Sequence, residues 1–238
     1  MGINVWKRRD LAIVDMGQNS LVIACDSCGG VGKKENDVLK AEPSIVGAFS
    51  VRVVLMEVLA AGAEIVSISN AVCNEMNGTG IKIINGIRQE LIRANLATDL
   101  LTGSTEENFK TSMTAVGVTA VGVVHKNELR FNQCKKGDCI IHIGIPKVGA
   151  EVTFDDNEIA SYDDIRFLLA AKAVREIVPV GSKGIQYEAE LLAEIQQLKF
   201  VALETEIDLL KSAGPATCMI AAVSKEYVSK YNVIGKLL

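Results

Sequence analysis

The run Thr111-Ser-Met-Thr-Ala-Val-Gly-Val-Thr-Ala-Val-Gly-Val-Val124 is the strongest single constraint on what this chain can fold into. Its β-branched content predicts a long strand. Its internal glycines, Gly117 and Gly122, predict close backbone contact or a bend in place of an ordinary packed ladder. A core around such a strand must come from small aliphatic side chains, because 49% of the residues are apolar and only 5% are aromatic. The shortage of aromatics argues against a platform for stacking nucleic-acid bases. With 25 basic and 29 acidic residues, a formal charge of −4 and no long basic run, nucleic acid is excluded as a main partner.

At 238 residues the chain allows one large domain or two modest ones. The opening Met1-Gly-Ile-Asn-Val-Trp-Lys-Arg-Arg-Asp10 places its charge after a short apolar stretch, the wrong order for a signal peptide. Trp6 stands where a myristoylation signal needs Ser or Thr. No 18-residue charge-free apolar run predicts a membrane span. The six cysteines then read as free thiols in a reducing cytosol, so the expected location is cytoplasmic.

Residues 11–16 and 20–25 read as a hairpin turning at Gly17-Gln-Asn19. The polar, glycine-rich 27–42 reads as a mobile loop. Pro43 opens a helix to about Ala61, with Gly62 as its stop. A strand over 64–72, a loop over 74–80 and an amphipathic helix over 81–95 follow, the last with Ile84, Ile87, Leu91 and Asn95 on one face. A domain boundary is expected near His125–Arg130. The second half restarts with a turn and strand over 137–144. Helices over 161–174 and 186–197, strands over 199–204 and 217–224, and a helix or turn near 225–230 complete an α+β or α/β pattern.

Asp26 closes the apolar run Leu21-Val-Ile-Ala-Cys-Asp26 and precedes Gly29 and Gly30. A rigid strand end beside a flexible turn is a good mount for a working carboxylate. Glu57 interrupts the apolar helix, where a buried acid needs a partner or a metal, although Arg52 gives that helix a polar side on which Glu57 would face outward. Asp10, Asp15 and Asp99 are further acids for such a cluster, and two or three carboxylates with nucleotide phosphates would hold Mg2+. The segment Thr102-Gly-Ser-Thr-Glu-Glu-Asn108 reads equally as a phosphate-facing loop or as capping by Ser104 or Thr105 with Glu107. Gly29-Gly-Val-Gly32 with Lys33 and Lys34 has the composition of a phosphate cradle without a Walker motif. Cys25 and Cys28 have C-x-x-C spacing but no second pair, and Cys25 points away from Asp26 in a strand. His142, between isoleucines, reads as a hydrogen-bonded core residue. No G-x-S-x-G supports a serine hydrolase.

At these residues the chain resembles the superfamily of aminoimidazole ribonucleotide synthase, thiamine-monophosphate kinase, selenophosphate synthetase and the hydrogenase maturation protein HypE. Arg9-Asp-Leu-Ala12 resembles its amino-terminal Gly-Asp-Asp-Ala, and Val22-Ile-Ala-Cys-Asp-Ser27 its metal-binding strand end. Glu57-Val-Leu-Ala-Ala-Gly-Ala63 resembles a helix whose acid binds a second Mg2+. Thr102-Gly-Ser-Thr-Glu106 resembles Gly-Gly-Asp-Thr-Thr with Ser104 at the aspartate, which moves the metal role to Glu106 or removes it. Gly181-Ser-Lys-Gly-Ile185 resembles Ile-Ser-Asp-Gly-Leu with Lys183 at the aspartate, and Gly137-Asp-Cys-Ile-Ile141 resembles the turn opening the carboxy-terminal domain.

The resemblance implies an α+β fold of two domains, 1–125 and 126–238, the first β-rich and forming a barrel with its twin in a homodimer. It implies ATP and Mg2+ as cofactors, with Asp26, Glu57 and Glu106 on the metal. Gly29, Gly30, Lys33, Lys34, Gly103, Ser104 and Thr105 would face the nucleotide, and Asp10, Asp26 and Lys183 the chemistry. Short length, the Gly-Gly-Val-Gly-Lys-Lys loop and the altered acids look most like the α-ribazole kinases of cobalamin salvage, which phosphorylate the 5'-hydroxyl of α-ribazole. A thiamine-monophosphate kinase, a related synthase, or a non-catalytic nucleotide-binding scaffold are the alternatives.

Overall fold

The computed structural model describes residues 4–227 and 230–238, so the expectations at Gly2 and at 228–229 lie outside the described residues. The chain divides into two compact units, residues 1–59 with 63–127, and residues 60–62 with 128–238.

The first unit is built on a six-stranded sheet. Its strands are β1 (Asn4–Arg8), β2 (Leu11–Met16) and β3 (Asn19–Gly29), then, after two short strands β4 (Val31–Gly32) and β5 (Leu39–Lys40), β6 (Glu64–Val72), β7 (Leu101–Thr105) and β8 (Ala115–His125). The order is β1-β2-β3-β8-β6-β7, antiparallel except for the parallel β6–β7 pair. This corrects the expected barrel: closure needs the first and last strands to pair, whereas among the described residues β1 pairs only with β2 and β7 only with β6, so the sheet is open.

Helices α1 (Pro43–Ala60) and α2 (Ile81–Arg93) belong to this unit's core. Gly122 of β8 has no side chain because Val58 and Ala63 occupy the space a Cβ would take, the close approach its position in the long strand foretold. Gly47 and Gly86 serve the two helices in the same way, each lying against the other helix's backbone at Ile83 and Ser44. α1 is long and apolar enough by composition to cross a membrane, but most of it is buried inside the unit, as a central core helix is. Arg52 does not mark an outward face: it is buried and paired with Glu90 of α2 at 3.4 Å. On α2 the buried row is Ile83, Ile87 and Leu91, with Ile84 only partly covered.

The second unit holds a five-stranded antiparallel sheet in the order β10-β12-β9-β13-β11. Its elements are β9 (Cys139–Ile143), α3 (Tyr162–Ala170), β10 (Val174–Pro179), α4 (Gly184–Ile195), β11 (Phe200–Ala202), β12 (Met219–Val223) and β13 (Val233–Leu237). α4 lays Ile185, Ala189, Leu192 and Ala193 into a core shared with Val178, Ile220 and Ile234. The helix expected to reach residue 174 stops at 170, and Val174 instead opens β10, pairing with Val223. β1, β10 and β13 escaped the sequence reading, being five- and six-residue strands without strict alternation.

Candidate functional site

Asp26 lies in β3, directly opposite Val118 of β8, which lies opposite Asn70 of β6, which lies opposite Gly103 of β7. Residues directly opposite share a face, so Asp26, Val118, Asn70 and Gly103 form one row across the sheet. Val118 and Asn70 are buried, Asp26 is partly covered and Gly103 is exposed at the sheet's edge strand. The row below runs Cys28, Val116, Val72, Thr105.

Burial raises the pKa of Asp26 above the usual carboxylate range; a hydrogen bond from the Ser27 backbone opposes that, and the negative charge of Asp10 adds to it. Asp10, exposed in the β1–β2 turn, is therefore the acid that the fold brings to Asp26. The thiol of Cys28 is also raised, by burial first and then by Asp26, with a hydrogen bond to Ser50 of α1 acting against the trend. Cys25 and Cys28 occupy opposite faces of β3, and both are free thiols, as are the other four cysteines.

Asn70 is 6% exposed. Its Nδ2 donates to Thr102 O at 3.0 Å, and its Oδ1 is buried with no hydrogen-bond partner among the described residues. Gly103 is required here, because the Asn70 amide and backbone occupy the position of any Cβ. Sequence reading passed over Asn70; the pairing of β6 with β8 places it in the same row as Asp26, with Val118 between them.

Glu57 is 8% exposed and pairs with Arg9 at 3.4 Å. The buried acid thus has its compensating charge from an arginine in the β1–β2 turn. Glu106 closes its own turn, accepting from the backbone of Asn108 at 2.6 Å and Phe109 at 3.3 Å. Among the described residues no group of three or more His, Cys, Asp or Glu is assembled for a metal. Asp15 is held by Ser20 Oγ at 3.0 Å and Lys126 at 3.5 Å, and Asp99 is exposed in the short turn before β7.

The segment 102–108 is an edge strand followed by a turn. Gly103, Ser104 and Thr105 belong to β7, and Thr105 Oγ1 donates to Glu107 at 2.7 Å. The glycine-rich 27–42 is likewise no open loop. Asp37, 5% exposed, accepts from Thr114 N, Thr114 Oγ1 and Lys34 N, each at 2.7 Å. Burial works against its charge, but these bonds outweigh it and hold its pKa below the ordinary range. Lys34 Nζ bonds Glu75 Oε2 at 2.6 Å and Thr111 O at 2.9 Å, and Glu75 also accepts from Thr111 N and Oγ1. Lys34 first, then its own and the Thr111 backbone, hold the Glu75 pKa at about 2. Lys33 pairs with Glu42 at the surface, both side chains at least half exposed. Gly29 and Gly30 stand where β3 runs into this knot, Gly30 N donating to Thr114 O at 2.9 Å.

In the second unit Lys183 precedes α4. Its ammonium lies 4.2 Å from the centre of the Tyr187 ring and 3.1 Å from the Tyr187 hydroxyl.

Residues 8–124 match the family described as AIR synthase related protein, N-terminal domain. Sequence comparison with curated proteins gives no match. Solved structures share the fold at low identity. Thiamine monophosphate kinase from Aquifex aeolicus aligns at a TM-score of 0.72 and 14% identity, over 97% of this chain and 89% of that one. A chain of a HypE–HypF complex aligns at 0.69 and 15%, over 94% of this chain and 86% of that one. PurL from Thermotoga maritima, solved with ATP, aligns at 0.65 and 16%; the match takes in 95% of this chain but only 42% of that much longer protein.

Proposed function

We propose, from a chain whose residues 8–124 match the AIR synthase related N-terminal domain family, that this protein is an ATP-dependent phosphotransferase or synthase acting on a small molecule. The observation that carries the reading is the fold correspondence with a thiamine monophosphate kinase over nearly the full length of both chains. Fold alone does not assign chemistry, so the reading also leans on the site: a desolvated carboxylate, Asp26, three residues before the end of β3, with the charge of Asp10 acting on it and a rigid glycine-lysine knot following.

The residues fit a hard divalent cation in donor type. Asp26 supplies a carboxylate with a raised pKa, and Asn70 supplies a buried amide oxygen without a partner. Mg2+ takes such oxygens and keeps several waters, so one or two protein ligands suffice. When bound, it would neutralise phosphate charge during transfer. Glu57 would join it only by leaving Arg9, and Glu106 only by leaving its turn. Lys33 can exchange Glu42 for a phosphate oxygen at small cost, since an exposed ion pair contributes about 0–1 kcal/mol. Lys34 is tied at both main chain and side chain and acts as the strut of the knot.

In the kinase form of the reaction, the acceptor hydroxyl oxygen forms a bond to the γ-phosphorus of ATP. The bond from that phosphorus to the β-phosphate oxygen breaks, ADP leaves, and the hydroxyl proton passes to Asp10 or water. Positioning and charge stabilisation dominate such transfers.

Our finer reading of the acceptor is the 5'-hydroxyl of α-ribazole, with the protein a cytoplasmic homodimer. It rests on the sequence likeness at Gly-Gly-Val-Gly-Lys-Lys and at the altered acids Ser104 and Lys183. Thiamine monophosphate is the second acceptor, favoured by the structural likeness. The test is an acceptor screen with Mg2+ and ATP, scored by ADP release and product mass. Transfer to α-ribazole supports the finer reading; transfer to thiamine phosphate alone replaces it. D26N should cut turnover by about 10²–10³-fold while raising the melting temperature. Its carboxylate has a raised folded pKa, so the ionised form costs stability above the unfolded pKa, and stability returns as pH falls. No ADP release by the wild type with either acceptor would leave the non-catalytic scaffold as the better description.

A further inference from the structure

We propose that Asn70 is a second oxygen of the cation site at Asp26, acting through a cation-bound water; this rests on the reading of Asp26 given above. Three observations meet here. Asn70 and Asp26 lie in one cross-strand row on the same face, separated only by Val118. The Asn70 side chain is oriented by its Nδ2 bond to Thr102 O, so that Oδ1, at the other corner of the planar amide, turns away from β7. That Oδ1 is buried and has no hydrogen-bond partner among the described residues, in a residue 6% exposed.

A buried amide oxygen left unsatisfied costs about 1–3 kcal/mol, and Leu or Val would fill the same space without that cost. An amide is therefore out of place here unless something donates to it. The donor is not a cation held directly by both residues. Neighbouring strands are about 4.8 Å apart, so β3 and β6 are separated by roughly twice that. Two short side chains cannot close that span onto one Mg2+ at about 2.1 Å per bond. One water on the cation bridges the remainder, and Mg2+ releases its waters reluctantly. Gly103 completes the arrangement, since any larger residue would displace the amide.

Mn2+ serves as the probe, titrated by electron paramagnetic resonance against wild type, D26N, N70L and N70D, with circular dichroism confirming that each variant is folded. Wild type should bind Mn2+ and D26N should not. N70L, which keeps volume but loses the oxygen, should weaken Mn2+ about 10-fold. N70D, which adds a charge at the same place, should tighten it by a similar factor, an increase that a purely space-filling residue cannot produce. If N70L and N70D both bind like wild type while D26N fails, Asn70 is not part of the site and the role of Asp26 stands. If N70L does not fold, N70D alone decides in the same way. If wild type and D26N bind Mn2+ alike, the cation reading of Asp26 falls, and this inference with it.

Discussion

The helix-side layer of the first unit treats buried polar groups in two ways. Around α1 they are closed: Arg52 meets Glu90, and Arg9 meets Glu57, each at 3.4 Å with little exposed surface. Along the row Asp26–Val118–Asn70–Gly103 they are left open: a carboxylate is driven toward its neutral form by burial, and an amide oxygen has no donor. A paired buried charge holds layers in register and has nothing left to offer a ligand. An unpaired buried oxygen costs stability and keeps a bonding site vacant, the usual signature of function.

Breaking the closed side should have the largest effect. Arg52→Met removes the guanidinium from the buried Glu90 and should cost about 3–5 kcal/mol in urea unfolding, with much of it recovered by adding Glu90→Leu. If the single variant loses under 1 kcal/mol, the pair is not buried in solution, and the contrast with the open row weakens. Gly103→Ala acts on the open side. Its methyl must push the Asn70 amide off Thr102, at about 1–3 kcal/mol. Unchanged stability would mean that the amide has room to spare and is not held where the row needs it.

The smallest effect concerns the glycine-lysine knot beside the row. Glu75 has its folded pKa lowered to about 2 from 4.5. Its contribution is therefore fully present above about pH 4.5 and is lost as pH falls toward 2. The melting temperature of wild type should exceed that of Glu75→Gln by a constant margin from pH 7 to 5, and that margin should shrink below 4.5. A margin independent of pH would show that Lys34 and Glu75 are not joined, and would return Lys34 to the set of lysines free for phosphate.

Much of the first unit was legible because its signals are local. Gly17 turned the β2–β3 hairpin, Pro43 and Gly62 bounded α1, and the pattern over 64–72 gave β6 to the residue. Composition misled where polar residues had tertiary partners. The 27–42 segment reads as loop by its lysines and glycines, yet Asp37 reaches Thr114, 77 residues on, to tie it down. Arg52 read as an outward face because its partner Glu90 is 38 residues away. The barrel failed for a related reason: strand content can be read along a chain, but whether the end strands pair is a property of the whole sheet.

Of the candidate site, Asp26 stood out in the sequence as an acid closing an apolar run beside glycines. Asn70 did not, because one asparagine within a strand carries no pattern. What the sequence determined was the strand that carries Asp26, the core helix α1 and the close approach at Gly122, all of which follow from side-chain size and spacing along the backbone. Strand order was decided only by the tertiary structure. It set Asn70 two strands from Asp26, gave Glu57 to Arg9 and left one amide oxygen without a donor, because partners distant in sequence meet only after the sheet has formed.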